Sequence, residues 1–499
     1  MHGMRDLEWE KMKDFLSNEN QRIAVVYGRP GTGLSQLIKE IRAFVPCLYF
    51  PAYPGTQDME LKLFEESIGI LKDQRDSSEM DSQTAGKLTD ILDWIGEQAR
   101  DPSQDRPIIL LISNYKNFMN ASSDNDGTFC HYVRDLWKDL PIKVIIADDS
   151  VLTMQRNFFS PKSLWGNIDP VEISLSPLTF RDIAPFLKGY SWRDAILLYG
   201  MIGGLPDVFR EICQEKGLSD QKKGVPILFG TDGPSIMKVL FDPWERKSYH
   251  PETVLKEEVR EPGFYNRLMT ALASGHQRIG ELSLDTGKNK DIVAPYLNTL
   301  VRLGLVEKDR PITEKGNQRK SRYSITNTMD LFYYRYLAPH YDLLCKGEFQ
   351  KIWKEVILPD RSAFEKIVFE KIAGQYLLCD QRNDLPFQIE ELGSWWEYAR
   401  KGKRKFDRVG FDLIGRGSWQ GRAMQAFCRI NYDERPVDVS EIKDLIALSR
   451  KLAKGGKKFY LIFSRAGFEQ NAETVAKAIP EIIFLSIPKI IEEGIKSDG

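Results

Sequence analysis

The hydrophobic pattern of the first third of the chain alternates short, unbroken apolar runs with longer amphipathic stretches. Runs at residues 25–27, 47–50, 108–112 and 143–147, the last apolar after Lys143, read as strands, and 108–112, bounded by turn-forming residues, suits a buried parallel strand. Stretches at 4–16, 58–71 and 86–99 carry apolar residues at helical spacing, and the polar stretch 74–85 is expected to be exposed. Further helices are predicted at 180–187, 193–199, 264–273, 279–284 and 289–303. The last of these sets Ile292, Val293, Tyr296, Leu297, Leu300 and Leu303 on one face and ends at Gly304. Residues 305–308 and 322–325 then read as a hairpin. The rest predicts a helix at 364–378, strands at 411–414 and 422–430, a helix at 439–452, and strands at 459–463 and 482–485. The elements group into four segments: 1–175, 176–261, 262–340 and 341–499.

The first strand leads into the motif that frames the chemistry, the glycine-rich turn of VVYGRPGTGLSQLI at residues 25–38. Against the phosphate-binding pattern G-x-x-x-x-G-K-[ST], Gly28 and Gly33 hold the glycine positions, Ser35 holds the hydroxyl position, and Leu34 stands where the lysine belongs. Such a loop works through three groups: a nest of backbone N–H groups at a helix N-terminus, a lysine on the β- and γ-phosphates, and a hydroxyl on Mg²⁺. The nest (Gly28, Arg29, Gly31, Thr32, Gly33, Leu34) and the Ser35 hydroxyl survive as candidate contacts to ATP and Mg²⁺. Leucine supplies no charge, so triphosphate affinity is expected to fall and transition-state charge to go unmatched. The apolar run 108–112 ends in Ser113-Asn114, where a hydrolase needs acids to order the metal and activate water. The next strand ends in Asp148-Asp149-Ser150, read as a surface loop because adjacent acids repel phosphate.

Composition narrows the classes. A chain of 499 residues is too long for one core, so three or four domains are expected. A net charge of −1 gives no basic field over the whole protein, so any nucleic-acid surface is local. Six scattered cysteines without a C-x-x-C pair argue against a zinc site or a disulfide framework. No apolar run approaches a membrane span and the first residues are charged, so no membrane association and a cytoplasmic location are expected. The local basic surface falls within 262–326, where three helices and a basic hairpin read as a winged helix. Lys288 and Lys290 open its third helix, and Lys315, Arg319, Lys320 and Arg322 lie on the hairpin. All six are candidate contacts to double-stranded DNA, although winged helices also serve as packing modules. The aromatic stretch 329–339 reads as core packing.

The order of these features resembles the archaeal-type ATPases of the AAA+/STAND group that carry a C-terminal nuclease-like domain. The residues that carry the resemblance are Arg5-Asp6-Leu7-Glu8, Tyr27-Gly28-Arg29, the apolar run before Ser113, Ser176-Pro177-Leu178-Thr179-Phe180 and Gly203-Gly204-Leu205-Pro206. The resemblance implies an α/β P-loop NTPase domain, a helical lid, a winged helix and a C-terminal α/β restriction-endonuclease-like domain. It implies that Pro206 lies beside the adenine, and that the Walker lysine and both Walker B acids are replaced by Leu34, Ser113 and Asn114. It also implies oligomers. In the PD-(D/E)xK pattern of the last domain, Glu365 or Glu370 fits the helix acid and Asp412 the strand acid. The E-x-K position falls on Phe427-Cys428-Arg429, where phenylalanine cannot ligate a metal and arginine cannot give up a proton as lysine can.

The expected function is that of a non-hydrolysing or weakly hydrolysing, nucleotide-responsive regulator associated with DNA, with no catalytic residue assigned. An active ATPase would need displaced groups, Arg29 as the cation and Asp148 or Asp149 as the acid. A protein-interaction scaffold, with both old active sites merely packed, is the third class.

Overall fold

The computed structural model describes residues 5–72, 86–103, 106–166, 168–215, 229–245, 247–313, 320–378, 385–401, 405–452 and 455–496. The polar stretch 74–85 lies outside them. The chain divides into two units, residues 1–176 with 256–260, and residues 177–255 with 261–499.

In the first unit the apolar runs form a five-stranded parallel sheet. Its strands are β1 (Ile23–Gly28), β2 (Leu48–Pro51), β3 (Ile108–Ser113), β4 (Ile142–Asp148) and β5 (Val171–Leu175), in the order β2-β3-β4-β1-β5. Successive side chains of a strand point to opposite faces, so a strand covered on both sides must be apolar at every position. Ile23, Val25, Leu110, Ile112, Val144 and Ile146 enter one core. Ala24, Val26, Ile109, Leu111, Ile145 and Ala147 enter the other, with Met12, Phe15 and Leu37 of the flanking helices. β5 is an edge strand that buries Ile173 and Leu175 while Glu172 and Ser174 face out; it lay outside the predicted strands.

Buried polar side chains break the apolar rule at the strand ends, Ser113 and Asp148, and at a lysine inside the sheet. Lys143, near the start of β4, is buried and donates from Nζ to the carbonyls of Phe15 (2.7 Å), Asn18 (2.7 Å) and Gln21 (2.9 Å). It closes the turn between the helix Asp6–Ser17 and β1, and so sets where the glycine loop begins.

The second unit opens with the short helix Phe180–Ile183 and a 3₁₀ turn at Ala184–Leu187, followed by helices Trp192–Ile202 and Pro206–Glu215. Helices Pro262–Ala273, Ile279–Thr286 and Lys290–Arg302 follow, then an antiparallel pair, β6 (Val306–Asp309) and β7 (Arg322–Ile325). After the helix Leu358–Leu378 comes a second five-stranded sheet of order β12-β11-β10-β9-β8. Its strands are β8 (Gln388–Lys401), β9 (Lys405–Trp419), β10 (Arg422–Asn431), β11 (Lys457–Ser464) and β12 (Ile482–Ser486). β8 to β10 run antiparallel, and β10 to β12 run parallel. β8 was not expected, and β9 is far longer than 411–414. Glycines masked both: a Cβ on Gly417 would lie 1.9 Å from the Gln388 carbonyl oxygen, and one on Gly410 2.3 Å from that of Trp395. They mark close backbone approach between strands, not strand ends. Among the described residues, no helix is long and apolar enough to cross a membrane.

Candidate functional site

The glycine loop joins β1 to the helix Leu34–Phe44. Arg29 to Thr32 close on themselves as in a type II turn, with Pro30 second, Gly31 third at φ +90°, and the Thr32 amide donating to the Arg29 carbonyl at 3.2 Å. The Thr32 hydroxyl donates to the same carbonyl at 2.7 Å, and Arg5 Nη2 donates to the Thr32 carbonyl at 2.7 Å, so the lead-in arginine braces the turn. Gly33 caps the helix at φ +89°. Gly28 has no room for a side chain, since a Cβ would meet the Leu175 carbonyl oxygen at 2.6 Å and Thr32 Oγ1 at 2.7 Å. Ser35 is exposed. Leu34 is half-buried and packs against the core that holds Val26, Leu37 and Ile38. The side chain in the lysine's place therefore turns into the fold.

The ends of β3 and β4 complete this edge of the sheet. Ser113 is buried and its hydroxyl lies 3.0 Å from that of Tyr49. Asn114 adopts φ +55°, caps the helix Tyr115–Ala121 and donates from Nδ2 to the Ala52 carbonyl at 3.3 Å. The expectation that 148–150 is a surface loop is corrected: Asp148 and Ser150 are buried. Asp148 accepts from the amides of Lys116 and Ser150, both at 2.7 Å, so its carboxylate stitches two helix starts to β4. Burial still pushes its pKa up. Asp149 is pushed up to about 7, by burial first and then by Asp148, Glu257 and Glu258, against the opposing charge of Lys116. Burial raises Glu258 as well. The folded unit therefore holds a proton at Asp149 that the unfolded chain releases near pH 4, and stability falls as pH rises from about 4 to about 7. Asp149→Asn is expected to flatten that fall by about 1–3 kcal/mol, read from melting temperatures at pH 5 and pH 8.

Pro206 belongs to the second unit, is buried, and opens the helix Pro206–Glu215. The glycines before it answer to packing: a Cβ on Gly203 would lie 2.1 Å from Asn327 Oδ1, and one on Gly204 2.3 Å from the Leu178 carbonyl oxygen. Asn327 Nδ2 donates to the Gly203 carbonyl at 2.7 Å.

The six basic residues singled out from the sequence separate into four groups. Lys290 and Lys320 come together in a cleft of about 840 Å³ between the helix Ile279–Thr286 and the β6–β7 pair, lined also by Arg278, Glu281, Leu284 and Lys308. Arg278 and Lys308 escaped the sequence reading, because one precedes its helix and the other lies within a strand. Lys288 is exposed, and its carbonyl accepts from Ser283 Oγ at 2.6 Å. Lys315 and Arg319 lie outside the described residues. Arg322 is a correction: it is 8% exposed, and its guanidinium lies 4.2 Å from the centroid of the Trp396 ring on β8. The hairpin base is also tied to β8 through the Ile312 amide and the Ser394 carbonyl at 2.9 Å. Arg322 is thus a packing residue.

On the helix Leu358–Leu378, Glu365 is fully buried and accepts from Arg361 Nε, Arg193 Nε (3.0 Å) and the Tyr432 hydroxyl (3.1 Å). Arg361 also pairs with Asp194 at 2.8 Å. Asp412 accepts from the Ile430 amide at 2.8 Å, and Phe427 is buried between Phe411 and Tyr460. Glu370 is half-buried on the same helix as Glu365. Among the described residues no group of three or more acids, histidines or cysteines is placed to hold a metal.

Comparison with known proteins gives the following likenesses. The DUF234 family, described as archaeal and bacterial proteins of unknown function, matches residues 333–419. An uncharacterized protein of Methanocaldococcus jannaschii is 26% identical over 470 residues, which is 92% of this chain and 95% of its own. Among solved structures, a Walker-type ATPase of Pyrococcus abyssi aligns with a TM-score of 0.48 and 15% identity, over 66% of this chain and 95% of its own. The ORC2 protein of Aeropyrum pernix, solved as ADPNP and ADP complexes, aligns with a TM-score of 0.42 and 12% identity, over 70% of this chain and 94% of its own.

Proposed function

We propose that this chain is a P-loop-type protein that has lost efficient hydrolysis and works as a nucleotide-responsive, DNA-associated regulator. The observation that carries this is the direction of Leu34, which packs into the core from the position where a phosphate-binding lysine would reach outward. The glycine turn, the helix start and the exposed Ser35 hydroxyl suit a phosphate group and, weakly, Mg²⁺. The chemistry for water activation fits poorly: Ser113 and Asn114 carry no charge, and Asp148 is committed to two backbone amides. On the helix before the C-terminal sheet, Glu365 faces Arg193 and Arg361, which supports a binding or packing role for a nuclease-like fold. The three helices and hairpin of residues 262–325 act in this reading as a winged helix on duplex DNA.

Phosphate-release assays and calorimetric titration of ATP, with and without Mg²⁺, test the proposal. No turnover above background is expected from the unchanged protein, and Leu34→Lys alone restores none, because the acids stay absent at the end of β3. Weak Mg²⁺-dependent heat that is lost in Ser35→Ala supports a nucleotide ligand. Steady turnover that vanishes in Ser35→Ala overturns the loss of hydrolysis. A second reading rests on Asp149, which directly follows β4; burial pushes its carboxyl pKa up to about 7, the range that suits a general base. It requires turnover that rises through pH 7 and disappears in Asp149→Asn.

A further inference from the structure

We infer that the cleft between the helix Ile279–Thr286 and the β6–β7 pair grips the phosphodiester backbone of duplex DNA without reading its sequence. The inference rests on the DNA association proposed above and assigns it to residues of its own. Four cationic side chains, Arg278, Lys290, Lys308 and Lys320, line the cleft against one carboxylate, Glu281. That carboxylate already accepts from the amides of Gln277 and Arg278, both at 3.0 Å, at the start of its helix. The cleft lining therefore carries four cationic groups against one acid in a protein whose net charge is −1, so the excess of cations is a local feature.

Two further observations choose the ligand. A single strand is held by stacking bases on exposed aromatic faces. The aromatic residue lining this cleft, Tyr323, is 6% exposed and has Lys308 Nζ 5.6 Å from its ring centroid, so it offers no platform. Base reading in a major groove needs a helix with donors and acceptors along its outer face. The outer face of Lys290–Arg302 beyond its first residue presents Asp291, Ile292, Pro295, Asn298 and Arg302, of which Asn298 and Arg302 can donate to a base edge, and Arg302 Nη2 already donates to Thr299 Oγ1 at 3.2 Å. Leu284, 86% exposed at the cleft, adds an apolar surface suited to a deoxyribose.

The test is fluorescence anisotropy of the full chain with two labelled duplexes of unrelated sequence, across about 50–200 mM salt. Equal affinity for both duplexes is expected. Arg278→Ala with Lys308→Ala should weaken both on the order of tenfold and lower the salt slope by about 2, roughly 0.9 for each phosphate contact removed. An unchanged melting temperature separates that loss from unfolding, and the charge-keeping pair Arg278→Lys with Lys308→Arg should restore the slope. Arg302→Ala should change nothing. Binding that survives the double alanine change overturns the cleft while leaving DNA association in place. Discrimination between the duplexes, or its loss in Arg302→Ala, overturns backbone recognition in favour of base reading. Absence of binding even at the lowest salt overturns the DNA association and the cleft together.

Discussion

Arg361→Met is expected to lower the stability of the second unit by about 3–5 kcal/mol, because it leaves a buried carboxylate short of a partner. Glu365 has no exposed surface, and its two oxygens are met by Arg361, Arg193 and the Tyr432 hydroxyl. A carboxylate in such a site is tolerable only while cations face it, since the cost of dehydrating the ion is several kcal/mol. Methionine keeps most of the side-chain volume and removes the charge, so the loss measures electrostatics more than packing. It also releases Asp194, which Arg361 holds at 2.8 Å. Urea unfolding followed by fluorescence of the unit's tryptophans is the measurement, and the midpoint should fall with little change in slope. Adding Glu365→Gln to Arg361→Met should recover part of the loss, because the neutral amide no longer requires a counter-charge. A variant that unfolds at the parent's midpoint would show that the network is not a structural clamp. The same experiment bears on metal binding, for an acid this dependent on arginines is unsuited to holding a metal.

Lys143→Ala should cost the first unit about 2–4 kcal/mol. Burial lowers the pKa of this ammonium, so the lysine is not in a favourable place by itself. Its removal is costly for a different reason: the carbonyls of Phe15, Asn18 and Gln21 converge on Nζ, and deleting the donor leaves the buried Phe15 acceptor and two half-buried ones without it. The side chain also covers the Phe15 ring, with Nζ 4.8 Å from its centroid. Lys143→Met separates the two contributions, because it keeps the apolar stem and removes only the donor. Thermal melts of parent, Met and Ala variants should rank in that order, with most of the loss already present in Met. Equal melting of Met and parent would place the stabilisation in the stem alone.

How legible the protein was depended on how local the signal was. The strand, glycine turn and helix of residues 23–44 could be read directly, because an unbroken apolar run, glycines with positive φ and a helical period are each written within a few residues. Strands β1 to β4 of the parallel sheet were legible for the same reason, whereas the edge strand β5, with Glu172 and Ser174 facing out, was not. β8 and most of β9 were not, because their glycines serve close strand approach that no local pattern announces. Lys288, Lys290 and Arg322 looked alike as basic residues near one hairpin. Position alone separated them: Lys290 lines the cleft, Lys288 does not, and Arg322 stacks on Trp396, more than seventy residues later in sequence.

The sequence by itself determined the absence of charge at three places, Leu34, Ser113 and Asn114, since no fold can give a leucine an ammonium or an asparagine a carboxylate. Only the tertiary structure decided what the remaining charges do. Asp148 becomes a helix stitch, Asp149 a proton holder, and Glu365 the centre of an arginine clamp. Arg278, Lys290, Lys308 and Lys320, drawn from separate elements, become one cleft. The physical reason is that the identity of a group is carried by the residue, whereas its dehydration, its partners and therefore its role are set by what distant parts of the chain bring against it.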